Sequence, residues 1–432
     1  MRSKLAATHR TASETFFIGT PSSPLVNLVQ QSQRAIKNIV EDHETWRGEC
    51  LNLIASENVT SPAVRAILSS DLGHRYTLPL NRKFDGMFVK NAYMGTKFTD
   101  EAQARTQELA CEVFGCKKAY VNALGGHVAA MTVLMGLCKK GDLIMAPDDD
   151  SGGYHGWVGP YLPEALGLKY SALPFIQKDW DLDYERACGN IKRQKPALVV
   201  LGLSYFPFPF KIGPIREACD SVGAYLCYDG SHVLGLIAGG KFQRPLIEGA
   251  DVLLGSTHKS FFGPQGGLVM TGNEDIYTRL VESSTWRSID NAHWNRIAAL
   301  GQALEEMKAF GKEYATQVVA NSKALALGLA NLEVPLRFGH RGYTESHQVL
   351  MDNKAVSNLY DVPFPILADR LEAENIIIDS VGRMGTSEAT RLGLKEKDMA
   401  TIAGLIVDVM KDKKKVCTKV KAIRKRCKLS FC

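Results

Sequence analysis

Short apolar runs and longer helical patterns alternate through the middle of the chain. Leu143–Ala146, Ala197–Leu203, Ala224–Tyr228 and Val252–Leu254 each read as a buried strand, too short for a helix and bounded by turn residues. Lys118–Asn122 adds another. The segments between the later four are long enough for a helix each, which predicts a doubly wound α/β sheet. Helical periodicity marks Pro24–Val40, through Leu25, Leu28, Val29, Ile36, Ile39 and Val40, and marks Thr99–Phe114, Ala123–Cys138 and Trp286–Gly311. Ser61-Pro62 opens a further helix, with proline near its first position.

Length and composition add bounds. A chain of 432 residues exceeds one small core and predicts a large domain plus a smaller one. Apolar and charged contents of 45% and 23% are those of an ordinary globular protein. No apolar run reaches the roughly 20 residues that span a bilayer, so no membrane span is expected. The ten cysteines lack paired C-x-x-C spacing; they read as reduced thiols of a cytoplasmic protein, and no metal site is expected. The net charge of +6 gathers at the end, where Lys411–Lys428 holds ten basic residues and one acid. Without interleaved aromatics this reads as a solvated tail, not a nucleic-acid patch. Residues 1–23, rich in Ser, Thr and Ala with one acid, read as a disordered tail, an organellar transit segment being the alternative.

Candidate chemistry lies at the strand ends. Past Val252–Leu254 comes G-S-T-H-K, ending at Lys259. An isolated lysine in such a loop ordinarily snorkels to solvent. In a dry pocket it instead becomes a nucleophilic amine able to form a Schiff base. The strand before it ends in Asp229, so an acid and a lysine are predicted to face one crevice at the carboxyl ends of a parallel sheet. Pyridoxal phosphate (PLP) chemistry requires that pair, the lysine for the aldehyde and the carboxylate for the pyridine nitrogen. Gly125, Gly126 and His127 open a helix at which backbone N–H groups can meet a phosphate.

Two stretches, Y-D-G-S-H-V-L-G-L-I-A-G-G (228–240) and S-T-H-K-S-F-F-G-P-Q-G-G (256–267), resemble the serine hydroxymethyltransferase family. L-I-A-S-E-N (53–58) and G-R-M-G-T-S-E-A-T-R-L-G (382–393) extend the likeness to about Leu51–Met399. The resemblance implies PLP-dependent fold type I, with a mostly parallel seven-stranded sheet and a smaller C-terminal α+β domain. The expected division is 1–50 for a tail and interface helix, 51–320 for the PLP-binding domain, 321–410 for the small domain and 411–432 for the basic tail. It also implies a homodimer or higher homo-oligomer, with Tyr76 and the Gly266-Gly267 turn reaching the neighbour's cofactor. By the same carry-over Ser56, Tyr93 and Arg383 meet the substrate, Ser204 bonds the cofactor ring, and His232 stands beside it as a catalytic group. His155 or Trp157 supplies a ring to stack on the pyridine. Gly125 and His127 replace two family serines at the phosphate.

The chain departs from the family pattern at two places. Where the family runs Tyr-Ala-Glu-Gly, this sequence reads Tyr76-Thr77-Leu78-Pro79, so the glutamate that handles the substrate hydroxyl proton is missing. The segment 80–91 that follows is longer. The family's Thr-Asp-Asn-His run reads Thr344-Glu345-Ser346-His347, a form similar to archaeal members, which use another pterin, and to threonine transaldolases. The implied function is interconversion of serine and glycine with tetrahydrofolate or another pterin. The alternative is a threonine transaldolase or aldolase that joins glycine from threonine to another aldehyde. A non-catalytic relative is a third reading, opposed by the presence of both Lys259 and Asp229.

Overall fold

The computed structural model describes residues 24–412 and 414–432, with side chains from residue 35 on except 79, 81, 82 and 84. The reading of residues 1–23 lies outside the described residues. Two compact units result. One contains the helix Pro24–Glu49, on which Ile36, Ile39 and Val40 are exposed. The other is Cys50–Cys432.

Seven strands build the central sheet, in the spatial order Lys118–Tyr120, Gly267–Thr271, Val252–Ser256, Tyr225–Asp229, Leu198–Leu201, Leu143–Ala146 and Lys169–Ala172. Only Gly267–Thr271 runs against its neighbours. Leu198–Leu201 and Val252–Ser256 are buried throughout, because helices cover both faces of such a sheet. Their unbroken apolar text, without period-two alternation, is the mark of that burial. Lys169–Ala172 carries the polar pattern K-Y-S-A on the sheet edge, which is why periodicity did not single it out.

A second apolar core collects Leu51, Leu53 and residues from Leu325 to Ile423. Leu51–Asn52 pairs with Ile376–Ile377, and Gln348–Leu350 with Arg383–Gly385. Both cores share the 38-residue helix Trp294–Asn331. It starts later than the predicted Trp286, since Trp286 and His293 hold positive φ angles of 59° and 54° that no helix accepts. Leu300, Leu304 and Met307 lie in the first core and Leu325 and Leu329 in the second, so residue 321 falls inside a continuous helix.

The basic C-terminal segment is not a solvated tail throughout. Cys417–Arg426 is helical, and Val416, Val420 and Ile423 at helical spacing enter the second core. Lys419, Lys421, Lys425 and Arg426 are exposed, and Arg426 bonds Asp398 at 2.6 Å. The longer segment after Leu78 is a hairpin, Pro79–Phe84 with Met87–Asn91, turned by Asp85-Gly86 at φ 46° and 80°. Asp-Gly is the residue pair such a turn favours. All ten cysteines are free, and among the described residues no helix is long and apolar enough to cross a membrane.

Candidate active site

The carboxyl ends of the parallel strands converge on one cavity of about 60 Å³, lined by Gly126, His127, Tyr154, Leu203, Ser204, Asp229, Ser231, His232, Ser256 and Lys259. Six of the residues singled out in the sequence therefore meet: Lys259, Asp229, His232, Ser204, Gly126 and His127.

Lys259 follows the strand Val252–Ser256 by three residues, and its loop is pinned from behind. Asn58 donates to the Lys259 carbonyl at 2.8 Å, and Tyr314 donates to the Ser260 carbonyl at 2.8 Å. Loss of water around the amine, aided by the Arg383 cation and opposed by Asp229, lowers its pKa to about 8. Nζ lies 3.2 Å from His232 Nε2. His232 is buried, and desolvation together with Lys259 and Arg383 pushes its pKa well down, so the ring is neutral. His258 and His347 are pushed down to about 4 and about 3, chiefly by desolvation.

Asp229 is buried with its carboxylate fixed from two sides. The Trp157 indole N–H donates to Oδ2 at 2.9 Å, while the Ser231 amide and hydroxyl donate to Oδ1 at 3.0 and 2.6 Å. Trp157 thus orients the acid. His155 is exposed and bound to Asp149. Of the rings in this loop, the one lining the cavity is Tyr154, whose hydroxyl pairs with His127 Nδ1 at 2.8 Å. The sequence named the loop but not this residue, since spacing alone does not say which of its rings faces the cavity; a 3-10 turn spans His155–Trp157.

At the far strand, Gly125 caps the helix Gly126–Leu137 in extended conformation. A Cβ on Gly126 would come within 2.2 Å of Ser256 Oγ and 3.4 Å of Ser231 Oγ. Backbone N–H groups, helix dipole and two hydroxyls thus converge at a cradle that admits no side chain, which fits a phosphate. The two hydroxyls come from the strand ends and were missed, being read only as flanks of Asp229 and Lys259. PLP therefore fits the residues present: Lys259 for the aldehyde, Asp229 for the ring nitrogen, Tyr154 for a ring face and this cradle for the phosphate.

Arg383 donates through Nη1 to the Ser204 carbonyl at 2.8 Å and through Nε to Asp379 at 3.0 Å. Its remaining N–H groups leave an edge of the fork for a carboxylate. Ser56 sits beside Ala55, against which Gly385 of the arginine's strand packs so closely that a Cβ would lie 2.5 Å from Ala55 Cα. Tyr76, Tyr93, Gly266 and Gly267 do not line the cavity. Tyr76 and Tyr93 are exposed, edge to face with centroids 5.2 Å apart, and the Tyr76 hydroxyl bonds Asp290, which pushes its pKa up to about 12. Gly267 packs on the Gly125 carbonyl, 2.4 Å from where its Cβ would stand.

Fold type I of the PLP-dependent transferases is the class that this sheet order and strand-end chemistry define, and the chain is an enzyme of that class. The model of the serine hydroxymethyltransferase family matches residues 29–406, and the chain belongs to that family. Serine hydroxymethyltransferases of Methanopyrus kandleri and Methanocaldococcus jannaschii are similar at 38% identity over 391 residues and 39% over 394, covering 87% of this chain and 88% and 89% of theirs. L-threonine transaldolase from Pseudomonas fluorescens, solved in its internal aldimine state, matches with TM-score 0.82 and 26% identity, over 94% of this chain and 96% of that one. Family and structural neighbour together imply PLP as the cofactor.

Proposed function

We propose that this enzyme cleaves the Cα–Cβ bond of β-hydroxy amino acids, releasing glycine and passing the aldehyde-level carbon of serine to a pterin such as tetrahydrofolate. The observation that carries the reading is Lys259 and Asp229 facing one cavity from neighbouring strand ends, beside a cradle closed to side chains. When bound, PLP supplies an aldehyde that condenses with amines and a ring that accepts the electron pair left at Cα.

The chain's own residues do the rest. Lys259 presents an amine that is substantially neutral near pH 8, so it can be displaced by and displace an incoming substrate amine. Arg383 binds the substrate carboxylate and so fixes which Cα substituent stands across the ring plane. His232 holds a proton within reach of the lysine. Leu78 can neither take nor give the proton of the substrate hydroxyl.

That last point, with the transaldolase neighbour, favours a second reading in which threonine is the donor and another aldehyde the acceptor. In both readings the protein works as a cytoplasmic homodimer. Borohydride reduction of the holoenzyme followed by peptide mapping tests the shared core. Label at Lys259 is expected, and Lys259→Ala should lose the visible absorbance and nearly all turnover. Label at another lysine would displace the assignment.

A further inference from the structure

Gln348 lies on the strand Gln348–Leu350, fully buried, and its side chain meets two backbone groups of fixed polarity. The Phe206 N–H can only donate, and it donates to Oε1 at 2.7 Å. The Ser204 carbonyl can only accept, and it accepts from Nε2 at 3.1 Å. The amide orientation is therefore set twice over, without reference to any rotatable hydrogen. Its other Nε2 hydrogen points at His232 Nδ1, 3.1 Å away.

A nitrogen that receives a hydrogen bond carries no proton, so the neutral His232 ring carries its proton on Nε2. That Nε2–H faces Lys259 Nζ at 3.2 Å. An N–H aimed at an amine is satisfied by the lone pair of –NH₂ and repelled by –NH₃⁺. Resting on the reading of Lys259 as the reactive lysine, we propose that Gln348 is a positioning residue that fixes the His232 tautomer and thereby holds Lys259 as a neutral amine.

Other groups face this pair. Asp229 draws the amine toward its charged form, and Arg383 opposes it. His347 stacks on His232 with centroids 6.1 Å apart at 11°, and both its nitrogens are unpartnered. His258 acts on His232 only through its charge when protonated. None of these sets which nitrogen of His232 bears the proton. Gln348 also shares the Ser204 carbonyl with Arg383, so the carboxylate-binding arginine and the lysine are tied to one backbone atom.

The test uses full-length protein freed of cofactor. Long-range ¹H–¹⁵N correlation on histidine-labelled protein should show His232 as the Nε2–H tautomer. The pH profile of Lys259 acylation, read by mass spectrometry, reports the amine itself. Gln348→Glu keeps the acceptor for Phe206 but turns an acceptor toward Nδ1, which moves the proton to Nδ1 and leaves Nε2 to welcome an ammonium. Its acylation midpoint should rise by about one pH unit, an about tenfold slowing below the midpoint. Gln348→Met adds no charge and should shift the midpoint the same way by less. An Nδ1–H tautomer in the unaltered protein, or unchanged midpoints in both folded variants, overturns the proposal. Should the variants not fold, the tautomer measurement still decides. Borohydride label at a lysine other than Lys259 would instead remove the proposed function and leave the tautomer result standing.

Discussion

At the scale of single residues, the site depends on how burial and neighbouring charges set protonation. Lys259 has a folded pKa of about 8 against an ordinary 10.5. Below pH 8 the fold buries an ammonium at a cost, and between pH 8 and 10.5 that cost is relieved as the unfolded chain holds the extra proton. Lys259→Met should therefore stabilise the cofactor-free protein at pH 7, by about 3 kcal/mol at most, with the gain fading by pH 11. Urea unfolding at both pH values checks this, and an equal gain at each would contradict the depressed amine. Lysine and aspartate were legible because each ends an apolar run with a strand-end motif. Tyr154, Ser231, Ser256 and Gln348 were not, since what recruits them is the turn of a loop or a contact between residues more than a hundred apart, such as Gln348 with Ser204.

At the scale of elements, five of the seven sheet strands showed in the apolar pattern, and so did the helices Lys97–Phe114 and Gly126–Leu137. Lys169–Ala172 was hidden by its polar edge and Gly267–Thr271 by its place in a motif read for chemistry. The C-terminal helix was masked by its charge, although Val416, Val420 and Ile423 carried the stripe. Leu78 and the hairpin after it form one of the two departures from the family pattern read in the sequence. Leu78 is held through its amide by Asn91, which also accepts from the Tyr93 amide. A carboxylate at 78 would thus stand on a backbone already fixed. Leu78→Glu should raise pterin-dependent cleavage of serine relative to cleavage of threonine, since a positioned acid–base contributes about 10²–10⁴-fold. A ratio of initial rates unmoved by the substitution would show that the proton passes elsewhere.

At the scale of the whole molecule, three histidines are kept neutral by burial: His232, His258 and His347. Each takes up a proton near pH 6.5 when unfolded and far lower when folded. Their stabilising effect is complete above pH 6.5 and is lost as pH falls, towards about 4 for His258 and about 3 for His347. Stability of the cofactor-free protein should drop by up to about 1.4 kcal/mol per pH unit for each of them in that window; a flat denaturation midpoint from pH 7 to 5 would rule this out. Tyr76 and Tyr93 do not line the cavity of their own chain, and we propose that Tyr76 serves the site of a second copy. Mixing Lys259→Ala with Tyr76→Phe protein should restore part of the activity through hybrid dimers, whereas an active monomer by light scattering would end that idea. The central claim is cleavage of a β-hydroxy amino acid to glycine at Lys259 without the family's glutamate. Its most direct measurement is the initial rate of glycine formation from serine and from threonine, each with and without tetrahydrofolate. Glycine should form from threonine without pterin at a rate equal to or above that from serine with it. Rapid turnover of serine only with pterin, and none of threonine, would contradict the account.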